Sequence, residues 1–407
     1  MSIQKINKMI LSKIKSYSHF IFSNSLHFVM CIAWGSILLG YWRGINNKIP
    51  LLGTITDELE YLIVLVPLCF SLKYWPKLLK STDIVFVLCC MLYYLLNYII
   101  FPENADYLDK RFFSFVFLVL PYFFVGTTLD IRKYLDVFYL ISVVSILVCA
   151  FYQMFYVQSA SYSGDVDTEE YNMALAYNIL PHVLMASWIA MRDLKMLKIL
   201  VMLLGVFLLF ALGTRGPVVC EIIFIIIYLL LFKPTKHKIL KNVTILSIGI
   251  CILSFIDTIM LSLQLFIMQM GLSTRIFDKF FDGELGTSDG RNIITTTLLS
   301  ELKVDDSILG HGILGSYNYV GTYPHNIFVE FVFTFGWIPG IALLISIFTL
   351  ILFAFYHAKT EERGFLLLLI CATIVKLNFS STFIDDALFF MLLGFCIHNI
   401  RMRNKCN

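Results

Sequence analysis

Apolar runs of helix-spanning length recur along the whole 407-residue chain, separated by short polar connections and by one long polar interval. A helix needs about 20 residues to cross the hydrocarbon of a bilayer. On that measure the pattern predicts twelve spans, at roughly 24–41, 59–75, 83–101, 112–128, 135–157, 172–190, 197–213, 217–232, 242–262, 326–356, 364–380 and 383–400. The seventh and eighth are parted only by Thr214, Arg215 and Gly216. The expected fold is therefore all-α and polytopic, one integral membrane unit over 1–407 with a large external loop at 263–325. The polar stretch itself runs over 271–337 and returns into an apolar helix.

Charge orders these spans. One alternating set of connections holds Lys73, Lys77 and Lys80; Arg132 and Lys133; Arg192, Lys195 and Lys198; Lys233, Lys236, Lys238 and Lys241; and Lys359 and Arg363. The N-terminal Lys5, Lys8, Lys13 and Lys15 and the C-terminal Arg401, Arg403 and Lys405 extend that set. The other set is acid-rich, with Asp57, Glu58 and Glu60, then Glu103, Asp106 and Asp109, then Asp165, Asp167, Glu169 and Glu170, and last the long loop. Cytoplasmic connections carry the excess of Lys and Arg, so both termini are expected in the cytoplasm and the long loop outside. No small-residue cleavage site follows the first lysines, which reads as an uncleaved end.

Composition agrees. Hydrophobic residues make up 59% and charged residues 14%, against about 25% charged in soluble proteins, and the mean hydropathy is +0.81. The net charge of +3 comes from short basic clusters between apolar runs and implies no nucleic-acid partner. Nine of the ten cysteines lie in or beside apolar segments, without a CxxC pair; they read as small core hydrophobes. HExxH and GxSxG patterns are absent from the sequence, and it holds neither a P-loop followed by a nucleotide-binding fold nor a Rossmann glycine pattern after a strand. His311 and His325 have no cysteines at ligand spacing, and the carboxylates of the long loop form no DxD-type pair, so neither a metal nor another cofactor is implied.

The candidate chemistry sits on the external side. Arg215, in ALGTRGPVVCEI, occupies a tight turn before Pro217, which suits the first turn of a helix. An anion there would meet a guanidinium fork and the free N–H groups of the helix start; the plainer alternative is an arginine reaching to lipid head groups. Glu221, one turn further in, is an ionisable residue inside a span and a candidate partner for a basic group. Arg291 opens RNIITTTLLSEL, an amphipathic helix with Ser288 or Asp289 as cap. Arg275 precedes IFDKFFDGE, a stretch that also fits solvated surface. His311 lies between glycines in GHGILGS, where tight turns or a close approach to a ligand are expected.

His325 follows Pro324 and enters a long apolar helix in YPHNIFVEF. A neutral imidazole can take a proton from a hydroxyl; the alternative is a histidine at a helix cap. Asn326 can bond the backbone or a sugar hydroxyl, and Glu330, off the face of His325, fits a role in orienting a polar group near the membrane surface.

GTRGP after a span, the TSDGR element ending at Arg291, GHG, and YPHNIFVEFVFTFGWIPG together resemble the O-antigen ligase/polymerase superfamily, most specifically over 200–345. The resemblance implies a GT-C-like helical fold in a bacterial inner membrane, with a metal-independent periplasmic site and no cofactor. It implies inverting transfer of a glycan from undecaprenyl diphosphate to a sugar hydroxyl of a lipid-linked repeat unit. Arg215 and Arg291 would hold the diphosphate, with Arg275 in reserve, and His325 would act on the attacking hydroxyl; Asn326, Glu330, His311 and Glu221 would support them. A chain-length regulator is a further implied partner. The polymerase form is preferred, with ligation to lipid A–core as the alternative. A lipid-glycan flippase is the third reading. It would place its charges in a central cavity, whereas here the arginines gather at one face.

Overall fold

The computed structural model describes residues 30–31, 33–35, 79–153, 173–212, 214–232, 256–269, 277, 281, 289–302 and 308–404. Their regular secondary structure consists of helices alone, joined by turns and loops. In chain order they are α1 (Ser81–Ile100), α2 (Ala105–Ser114), α3 (Leu120–Thr128), α4 (Ile131–Phe151), α5 (Met173–Asp193), α6 (Met196–Ala211), α7 (Arg215–Phe232) and α8 (Ile256–Gln269). There follow α9 (Asp289–Glu301), α10 (Ser316–Val320), α11 (Ile327–Phe335), α12 (Trp337–His357), α13 (Thr360–Ile370) and α14 (Ala387–Asn404). A π turn at Phe115–Val119 joins α2 to α3, and another at Cys371–Val375 extends α13 into a short 3-10 turn, Lys376–Asn378.

Six stretches among the described residues are long and apolar enough to cross a membrane: Ser81–Ile100, Pro102–Thr128, Ile131–Phe151, Ala174–Asp193, Arg215–Phe232 and Trp337–His357. A polytopic membrane protein follows from them. The expected span 59–75 lies outside the described residues, as do most of 24–41 and the first part of 242–262. The ninth expected span ends late, because α8 runs on to Gln269. The tenth is two helices, since Gly336 (φ 89°) breaks the chain between α11 and α12.

The outward face of α1 carries Ile84, Val85, Leu88, Leu92 and Ile99, all exposed, as a face turned to lipid would. Aromatic residues fill the interior instead. Trp34 stacks on Phe138 at 4.9 Å, and Phe138, Phe365 and Phe395 are fully buried. Small residues decide the closest helix crossing. A Cβ on Gly126 of α3 would fall 2.3 Å from the Met391 carbonyl oxygen, and one on Gly394 of α14 would fall 2.2 Å from that of Phe123. Both obstacles are backbone, so Gly394→Ala must push the helices apart. We expect it to cost about 1–3 kcal/mol, read as a fall in the midpoint of thermal unfolding in detergent; an unchanged midpoint would show the crossing to be slack.

Antiparallel packing sorts the charges to two ends. At one end Arg401 of α14 forks onto Asp83 of α1 at 2.8 and 2.5 Å, Arg132 faces Glu362 at 3.7 Å, and Arg192 faces Glu361 at 3.6 Å. The opposite end holds the start of α7, the start of α11 and the break between α13 and α14.

Candidate functional site

The site begins with how α11 is started. Asn326 is its N-cap: the side-chain oxygen accepts from the Phe328 and Val329 N–H groups at 2.9 and 3.3 Å. Of the two roles open to Asn326, it fills the backbone one. The preceding residue, His325, has φ 56°, a conformation uncommon outside glycine that costs on the order of 1–3 kcal/mol. Two contacts hold it there, and a third bond fixes the ring that makes one of them. The Tyr323 ring lies 4.2 Å away, the Tyr323 hydroxyl meets Ser380 Oγ at 3.2 Å, and the Phe379 backbone bonds the imidazole. Nδ1 of His325 is buried without a hydrogen-bond partner among the described residues. Burial first, and then the nearby Arg291 guanidinium, push its pKa down to about 4. The ring is therefore neutral at pH 7, with an open lone pair or N–H at Nδ1.

Arg291 reaches this place because α9 lies along α11. Leu298 and Leu302 are buried against Val329, Val332 and Phe333, which sets the start of α9 beside the start of α11. Arg291 sits in the first turn of α9. The side chains of its expected caps, Ser288 and Asp289, lie outside the described residues, and so does Arg275.

Arg215 opens α7 and is partly buried. Gly216 behind it is pinned: a Cβ there would lie 1.9 Å from the Tyr177 hydroxyl and 2.9 Å from Phe379 Cβ. Phe379 is thus the shared neighbour of the Arg215–Gly216 turn and of His325. Thr214, just before α7, is buried with no partner for its hydroxyl among the described residues. A helix start, a guanidinium and a buried hydroxyl at one point favour an anion. The turn of Arg215 and Gly216 and the His325 ring thus share Phe379 as a neighbour, and Arg291 lies near enough to His325 to act on it electrostatically.

Glu330 bonds to the loop between α13 and α14. Buried in the first turn of α11, it accepts from the Thr382 hydroxyl and, at 3.4 Å, from the Phe383 N–H. It thereby fastens the loop between α13 and α14 to α11. Glu221 is also buried, but Ser187 is its hydrogen-bond partner and no basic side chain pairs with it among the described residues. His311 belongs to a strap. Its N–H and that of Gly312 donate to the Phe333 and Thr334 carbonyls at 2.8 and 3.0 Å, and its ring stacks on Phe333 at 4.4 Å. Gly310 and Gly312 have φ of 62° and 73°. The Ile313 N–H donates to Asn97 at 2.7 Å, and Asn104 donates to the His311 carbonyl at 2.9 Å. The glycines of GHG serve this docking, about two helical turns from His325 along α11.

Three charged residues that hydropathy averaged away, Lys376, Asp385 and Asp386, complete the picture together with Arg111. Lys376 and Asp386 form an ion pair at 2.6 Å, with exposures of 13% and 2%, and Arg111 pairs with Asp385. Asp386 Oδ1 also accepts from Phe389 N–H at 3.2 Å, capping α14. Ionisable residues at the edge of apolar runs were the signal. Among the described residues no group of His, Cys, Asp and Glu side chains is arranged to hold a metal ion. No family model, no curated protein and no solved structure matches this chain.

Proposed function

We propose that the chain is a membrane glycosyltransferase that polymerises lipid-linked oligosaccharide repeat units, an O-antigen polymerase by the resemblance of its motifs. The observation that carries this reading is that a neutral His325 has Phe379 as a common neighbour with the Arg215–Gly216 turn and feels the charge of Arg291. Position along the helices supports it over a flippase. From Thr360 to Asn378 is about 28 Å of helix, at about 1.5 Å per residue, a length that supports a loop near a membrane face over one at its middle.

In the proposed step a sugar hydroxyl attacks the anomeric carbon of the donor glycan. The hydroxyl oxygen bonds to that carbon with inversion, the bond from the carbon to the diphosphate oxygen breaks, and undecaprenyl diphosphate leaves with the electron pair. The hydroxyl proton passes to His325. Charge developing on the diphosphate meets Arg215, Arg291 and the first N–H groups of α7, which fixed donors stabilise without reorganising. Twelve spans, cytoplasmic termini and a periplasmic site complete the proposal, with the bacterial inner membrane as its place and a chain-length regulator as partner.

Deleting the gene and running the lipopolysaccharide on a gel tests it. Loss of the ladder with one repeat kept on lipid A–core is the expected result. Loss of every O unit, with polymer left on the carrier lipid, would make the protein a ligase instead; an unchanged pattern rejects both. In the complemented strain Arg215→Lys should lower long-chain product at least tenfold, because an ammonium does not reproduce the fork. A full ladder from that variant would remove Arg215 from the diphosphate site.

A further inference from the structure

Beside the Phe379 junction lies a cavity of about 330 Å³ that none of the roles above uses. Its wall is shared among the segment carrying Trp34, α3, α5 and the loop between α13 and α14. Trp34, Tyr122 and Tyr177 supply aromatic surface; Asn178, Asp385 and Asp386 supply polar atoms. Tyr177 also abuts Gly216, so the cavity adjoins the turn of Arg215.

Its charges are already matched. Lys376 in the wall is neutralised by Asp386, and Asp385 by Arg111. No arginine among the described residues lines the cavity, so a phosphate finds no surplus positive charge there, and a metal finds each carboxylate already held by a cation. A prenyl chain would bury the acceptors of Asn178 and the aspartates without partners, at a cost. What suits aromatic faces beside paired carboxylates is a ring with C–H groups on one face and hydroxyls around its edge. The hydroxyls would donate charge-assisted bonds to the aspartates, and the C–H face would lie on the negative face of an aromatic ring. Asn178 is exposed at the mouth, its carboxamide without a hydrogen bond among the described residues.

We propose that this cavity is a subsite for a neutral pyranose unit of the glycan, distinct from the arginines that hold the diphosphate. It rests on the glycan-transfer reading for its biological role, though sugar binding can be measured without it. The position next to Gly216 orders the two: diphosphate at the start of α7, sugar against Tyr177 and the α13–α14 loop.

The test uses the full chain in lipid nanodiscs and saturation-transfer NMR with methyl pyranosides of glucose, galactose, mannose, N-acetylglucosamine and rhamnose. At least one should bind saturably to the wild type. Asn178→Leu, which fills the mouth and removes no protein hydrogen bond, should weaken that binding tenfold or more. Arg215→Lys should leave it unchanged, and inorganic pyrophosphate should not compete. Failure of every pyranoside to bind, equal binding by Asn178→Leu, or displacement by pyrophosphate would each overturn the subsite. A full ladder from Arg215→Lys would instead strike the diphosphate assignment and leave the sugar measurement standing.

Discussion

Lys376→Met is expected to destabilise the fold by about 3–5 kcal/mol, the usual consequence of stranding one member of a buried ion pair. Asp386 is 2% exposed, and its ammonium partner stands at 2.6 Å; without Lys376 the carboxylate has no compensating cation in the wall. The double variant Lys376→Met/Asp386→Asn should recover most of the loss. Asparagine keeps the acceptor that caps the Phe389 N–H and carries no charge to strand. Thermal unfolding in one detergent, with the single and double variants side by side, decides it. A single variant as stable as the double would mean that water reaches Asp386 freely and that the pair contributes little.

The second large effect concerns His325. Substitution by alanine should lower glycan transfer by about 10²–10⁴, the range for losing a positioned acid or base, with protein abundance unchanged. The wild-type rate should also keep its plateau well below pH 6.5 and fall only towards pH 4, where the buried ring beside Arg291 takes a proton. Stability moves the same way. The folded pKa is depressed, so the unfolded chain binds a proton first as pH drops below about 6.5. The stabilisation is whole above that value and is lost progressively down to about pH 4. A rate limb at the ordinary histidine pKa, or a His325→Ala protein with full activity, would sink the role of the base.

The apolar runs made the frame readable, because span length and charge alternation depend on sums over many residues. Features set by single backbone angles were harder to see. Gly336 divides what reads as one span, and nothing in VFTFGWIPG separates a helix break from a tolerated glycine until φ 89° is seen. GHG reads as a turn that could meet a ligand, but its glycines let a strap dock on the end carbonyls of α11. His325, Arg215 and Arg291 were found as a set because each stands where a polar segment meets an apolar one. Lys376, Asp385 and Asp386 were hidden inside windows rich in Phe, Leu and Ile, although an ion pair across a helix break is what allows such residues there. Glu330 was seen, yet its partner Thr382 lies 52 residues away, and no local pattern links them.

The clamp between Arg401 and Asp83 has a consequence for synthesis. Asp83 emerges from the ribosome 318 residues ahead of the arginine that neutralises it. Until α14 arrives, α1 carries an acidic side chain that the finished bundle buries, and translation must be almost complete before that charge is matched. A chain cut short before residue 401 would therefore keep Asp83 without this counter-ion.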